Sequence, residues 1–167
     1  IKRYLPAKKG AVRKPAGGYE DLASFFESAL PDALSLAHVA LRDRSGYTPD
    51  MADFTVFRPV ARDTAALFGG VIPAEFASAT FHVAHMLDRK TLLESLVRVA
   101  HVKKCGHYEG NSSEPPFIAS FVLSFGSGYS LAEIREAVIE TYRAQEVESD
   151  FEVDLIAVLG KGLLVKK

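Results

Sequence analysis

The chain has 167 residues, 48% of them hydrophobic and 25% charged, with a net charge of -1; that length and apolar content suit one domain with a sizeable core rather than two domains. A single cysteine, Cys105, excludes an internal disulfide framework and points to a reducing, cytoplasmic setting, leaving only a bond between chains open. No apolar run approaches the ~20 residues needed to span a bilayer and no leader pattern opens the chain, so no membrane partner is expected.

The first segment is a basic arm. Lys2, Arg3, Lys8, Lys9, Arg13 and Lys14 precede the first acid, Glu20, so the remainder carries seven more acids than bases. Interrupted by Pro6, Gly10 and Pro15, residues 1–17 read either as a solvated tail or as a contact for nucleic-acid phosphates or an acidic protein face. Residues 18–167 form the domain. Because the chain opens at Ile1 and stops in the apolar Leu163, Leu164 and Val165, it is expected to be a piece of something longer, truncated at its C-terminus. Assembly into an oligomer is a further expectation from the arm and the truncation.

From Tyr19 to Leu30, Leu22, Phe25, Phe26, Ala29 and Leu30 recur at helical spacing, with Glu20, Asp21 and Glu27 off the stripe. The run Leu36 to Leu41, the turn signal Arg42-Asp43-Arg44-Ser45-Gly46 and the run Met51 to Phe57 predict a hairpin. The apolar stretch from Thr64 to Phe68 ends at Gly69-Gly70, and Phe76 to Val83 alternates as a third strand. Asp88 is placed to cap a helix carrying Leu92, Leu93, Leu96, Val97 and Ala100, with Lys103 and Lys104 at its C-terminal dipole and a stop near Gly106. A loop from Glu109 to Pro116 leads to a buried strand over Phe117 to Phe125. Ser130 and Glu133 form a capping box for a helix whose Leu131, Ile134, Val138 and Tyr142 share a face. Glu152 to Leu159 reads as a strand, followed by a turn at Gly160-Lys161-Gly162 and a short last strand. The order α-β-β-β-α-β-α-β predicts an α/β fold, a mixed sheet with βαβ crossovers and helices on both faces.

Met51-Ala52-Asp53-Phe54-Thr55-Val56-Phe57, then Val71-Ile72-Pro73-Ala74-Glu75 leading to Phe81-His82-Val83-Ala84-His85, resembles the core of the PD-(D/E)xK nucleases. More narrowly it is similar to an uncharacterised bacterial family of that class, as are the Pro115-Pro116-Phe117 strand and the Val158 to Gly162 end. The resemblance runs from Tyr19 to Val165 and implies a restriction-endonuclease-like fold, the class of bacterial enzymes that cut nucleic acid. It aligns Glu20 with the first-helix glutamate and Asp53 with the second-strand aspartate. It also places His82 where a metal-binding glutamate belongs and Ala84 where the catalytic lysine belongs.

Those two departures bear on chemistry. Phosphodiester hydrolysis in this class needs hard oxygen ligands for Mg²⁺ and a cation to orient the attacking water. Residues two apart on a strand point to one side, so His82 and Ala84 share the side that Glu and Lys should share. Imidazole suits Zn²⁺ or Mn²⁺ better than Mg²⁺, and alanine supplies no charge. Two readings of the site result. In the first it is vestigial, no cofactor is required, and the domain serves protein or nucleic-acid binding or a structural role. In the second, Asp53, Glu20 and His82 hold a divalent metal, Mg²⁺, Mn²⁺ or Zn²⁺, and a lysine migrated to Lys90, or its neighbour Arg89, restores an endonuclease acting on DNA or RNA. Asp53 and His82 are the metal-ligand candidates; without a metal, a hydrogen bond between them is the alternative.

Other candidates have simpler readings. His85, three residues from His82, belongs to the strand end. Cys105 and His107 flank Gly106 without a second ligand pair, so they read as loop residues. His38 and His101 are each expected to be partly buried with one hydrogen bond. Gly17-Gly18 and Gly69-Gly70 lack the spacing of a phosphate-binding loop.

Overall fold

The computed structural model describes residues 19–58, 70–107 and 117–166. The basic arm, the 64–68 run, the 109–116 loop, Gly17, Gly18 and Gly69 lie outside the described residues, as does the side chain of Glu20. In chain order the elements are α1 (Tyr19–Ala29), β1 (Ser35–Ala37), β2 (Ala40–Arg42), β3 (Phe54–Phe57), β4 (Val71–Pro73), β5 (Ala77–Ala84), α2 (Arg89–Lys103), β6 (Ala119–Ser124), α3 (Leu131–Ala144), β7 (Leu155–Val158) and β8 (Gly162–Val165). Short 3₁₀ turns occupy Ala74–Phe76 and Ser149–Phe151.

Six strands form one sheet in the order β1-β3-β5-β6-β7-β8. Its centre is parallel, β5 with β6 and β6 with β7, and both flanks are antiparallel. This is the mixed sheet predicted from the sequence. The apolar run Leu36 to Leu41 differs from its expected form: it is two three-residue strands in different sheets, since β2 leaves the main sheet to pair in parallel with β4. Beyond β2, the chain turns at Gly46, whose φ of +90° favours glycine. The Asp43 carboxylate ties that turn by accepting the N–H groups of Ser45, Tyr47 and Gly106.

Alternation along the strands divides the sheet into two faces. One carries Leu36, Phe54, Val56, Phe81 and Val83 and is covered by Leu22, Ala23, Phe26 and Leu30 of α1 and its C-terminal end. The other carries Val122, Ile156 and Val158, packed under Leu92, Leu96 and Val99 of α2 and Ile134 and Tyr142 of α3. Each such buried aliphatic side chain contributes about 1.5–3 kcal/mol. Phe25 and Leu93 leave the expected stripes and face solvent, because the stripe that meets the sheet is narrower than the apolar pattern. A third cluster joins Leu41, Phe57 and Ile72 to Val102, Cys105 and Ile118.

Both helices over this second face begin as expected. Asp88 and Thr91 form a reciprocal capping box at α2, and Ser130 and Glu133 form one at α3. Lys103 sits in the last turn of α2 as expected, but it does more than face the helix dipole. It is buried, and its ammonium meets the Asp154 carboxylate just before β7. None of the described helices is long and apolar enough to cross a membrane.

Candidate functional site

The register of β3 against β5 pairs Phe54 with Phe81, so one step outward Asp53 lies opposite His82. Asp53 is pinned at the strand end: its N–H donates to the Phe81 carbonyl at 3.0 Å, and its Oδ2 accepts the Val83 N–H at 2.7 Å. His38 Nδ1 lies 3.1 Å from the Asp53 carbonyl oxygen. The sequence-aligned pair is therefore brought together on one side of the sheet.

His82 is fully buried, and neither ring nitrogen has a hydrogen-bond partner among the described residues. The expected bond between His82 and Asp53 is absent; the Asp53 Oδ2 accepts the Val83 N–H instead. Its strand partner Val122 packs under α2, so the imidazole shares an apolar layer. Burial pushes its pKa down to about 4, and the Arg98 charge pushes the same way, against the smaller opposing pull of Asp53 and Asp50. At neutral pH it is uncharged. Thr55 Oγ1, on the same face, is likewise buried without a partner among the described residues, while Thr80 and Ser120 share a hydrogen bond of 3.1 Å.

Ala84 packs its methyl group against the core formed by α2, α3 and the sheet. Lys90 lies at the exposed start of α2, its side chain 82% exposed and its ammonium 3.9 Å from Glu94; Arg89 pairs with Glu140 on α3. Among the described residues, the cation that reaches the site is Arg98, two turns farther along α2. Its Nη1 is 3.8 Å from Asp53 Oδ2, and its Nη2 donates to the Met51 carbonyl. Sequence reading missed Arg98 because an arginine between apolar helix positions reads as solvated surface; nothing local to residue 98 points back to residue 53.

The remaining histidines and the cysteine have structural settings. His85, just past β5, lies against Phe125, and His107 meets the Phe151 ring edge-on. His101 Nδ1 is 3.1 Å from Asp50 Oδ2. Cys105 is fully buried, and burial pushes its thiol up to about 12.

A mixed sheet with a parallel centre, covered by one helix on one face and two on the other, with an aspartate opening β3 across from the middle of β5, defines the restriction-endonuclease-like fold. Solved structures of NucC share it. The apo form of E. coli NucC matches with a TM-score of 0.66 at 18% identity, over 89% of this chain and 70% of that one. The cAAA-bound form of P. aeruginosa NucC matches at 0.63 and 15% identity, over 89% and 69%, and the cAAA-bound E. coli form at 0.57 and 15%, over the same shares. The chain thus resembles NucC in fold. No family model and no curated protein matches the sequence.

The donors among the described residues do not fit the divalent cation implied by this fold. No group of three or more histidine, cysteine, aspartate or glutamate side chains among the described residues is placed to hold a metal. The two ligand candidates are a carboxylate already facing a guanidinium and a neutral, enclosed imidazole. Mg²⁺ calls for an octahedral, oxygen-rich shell, which this pair does not provide.

Proposed function

We propose that this chain is a nuclease-like domain that has lost catalysis and acts as a binding or structural module for a protein or nucleic acid. The observation that carries the reading is the state of His82: at the position of the metal-binding glutamate there is a neutral imidazole sealed under α2. Ala84 adds to it, with a methyl group in the core where the class has a lysine. Removing one preorganised electrostatic group from a transition state typically costs about 10²- to 10³-fold in rate. Here both the metal ligand and the cation are changed. The basic arm, Lys2 to Lys14, supplies the surface for a polyanionic partner in this reading. Because two of the similar NucC structures hold cAAA, cAAA is the first small ligand to titrate.

One observation favours the alternative, an endonuclease with a rearranged metal site: Arg98 brings a positive charge to Asp53 from the helix after β5. Cleavage decides between the two. Plasmid DNA, single-stranded DNA and RNA are incubated with the wild-type chain and Asp53→Ala in Mg²⁺, Mn²⁺ or Zn²⁺. No cleavage by either protein is expected. Cleavage by the wild type that Asp53→Ala abolishes overturns the proposal in favour of the rearranged enzyme.

A further inference from the structure

We infer that Arg98 is a built-in counter-cation, its guanidinium serving Asp53 in place of a divalent metal and keeping such a metal from binding there. The inference rests on the reading of the site as degenerate. Around the end of β3 the chain gathers three donors of the kinds a divalent ion uses: the Asp53 carboxylate, the Met51 carbonyl and the His82 ring. Arg98 engages the first two directly, by an ion pair at 3.8 Å and a donated hydrogen bond. Its field also falls on the third, where it helps to hold the imidazole neutral.

Three features make this occupation durable. A guanidinium does not deprotonate in proteins, so its charge is permanent. Arg98 rises from the middle of α2 between the buried Leu96 and Val99, so its backbone is fixed by the core. The Oδ2 that faces Arg98 also accepts the Val83 N–H, and the Asp53 N–H donates to the Phe81 carbonyl, so the carboxylate is fixed in place beside the guanidinium. A second cation arriving at the same carboxylate meets a like charge a few ångströms away in a partly desolvated setting, where repulsion is several times that in water.

The test is Mn²⁺ titration of the folded wild-type chain, Arg98→Gln, Asp53→Asn and the double variant Arg98→Gln/Asp53→Asn, read as paramagnetic broadening of the amide signals of Asp53 and Val83. Glutamine keeps a donor for the Met51 carbonyl while removing the charge. The expected result is no site-specific broadening in the wild type beyond that of Asp53→Asn, and a gain of about tenfold or more in Mn²⁺ affinity for Arg98→Gln that the double variant loses. Arg98→Met serves the same purpose if the glutamine variant does not fold. Wild-type broadening at Val83 that Asp53→Asn removes, or a folded neutral variant with no gain, overturns the inference. Mn²⁺ binding by the wild type without cleavage would sink this inference and leave the functional proposal standing, whereas metal-dependent cleavage would sink the proposal.

Discussion

Lys103 and Asp154 form the most enclosed ion pair among the described residues: the ammonium lies 2.8 Å from Oδ2, with the lysine side chain only 6% exposed. The same carboxylate accepts the Ser120 N–H at 2.7 Å, so one aspartate joins the end of α2, the start of β6 and the approach to β7. Breaking a buried pair leaves a stranded charge, which costs about 3–5 kcal/mol. Asp154→Ala is expected to fall in that range by urea unfolding. The double change Lys103→Met with Asp154→Asn, which keeps an acceptor for Ser120, is expected to recover most of the loss. A double variant as unstable as Asp154→Ala would show that the pair is not the source.

The buried imidazole of His82 sets a pH dependence. Its folded pKa is about 4 against 6.5 for the free side chain, so the unfolded chain takes up a proton first. Stability from this group is full above about pH 6.5, falls as the pH drops toward 4, and levels off below. At ~1.4 kcal/mol per pKa unit the span is on the order of 3 kcal/mol. His82→Gln is expected to flatten this part of the stability profile measured by denaturant midpoints between pH 7 and 4. An unchanged slope would place the dependence elsewhere.

Cys105 should be chemically silent in the native chain. It is fully enclosed among Leu41, Ile72 and Val102, and burial raises its thiol to about 12, so thiolate is scarce and reagents have no path. Reaction with a disulfide reagent is expected only on unfolding, at the rate of global opening; rapid labelling in native buffer would contradict the packing.

Lys90 and Arg98 separate cleanly by substitution. Lys90→Ala removes an exposed i,i+4 pair and is expected to change stability by less than about 0.5 kcal/mol, with no effect on the environment of Asp53. Arg98→Ala is expected to shift the amide resonances of Met51, Asp53 and Val83, because it vacates both the carboxylate and the Met51 carbonyl. Shifts at Asp53 in Lys90→Ala would restore the lysine to the site.

Ser130 and Glu133 show what the sequence discloses well. Their spacing alone places the start of α3, because a capping box is satisfied within four residues and needs no tertiary partner. Asp88 is legible for the same reason, period-two alternation locates β5, and a short apolar run locates β6. The division of Leu36 to Leu41 into β1 and β2 is not legible, since an apolar run continues through a change of sheet without any break in composition. Nor is β4, a three-residue strand ending at Pro73. At the site, the facing of Asp53 and His82 follows from aligned motifs on two strands, but Arg98 and Lys103 depend on how α2 lies across the sheet. Each meets a carboxylate more than forty residues away in sequence, a distance over which periodicity carries no information.

The parallel centre of the sheet has a kinetic consequence. Thr80 and Ser120 pair across a separation of forty positions, and β6 and β7 join only after α3 has been traversed. Each register therefore forms after a long loop has closed, whereas the β7–β8 hairpin and the two capped helices close locally. Refolding should pass first through these local pieces, with the layer containing His82 sealed last, when α2 settles over strands that have already found one another.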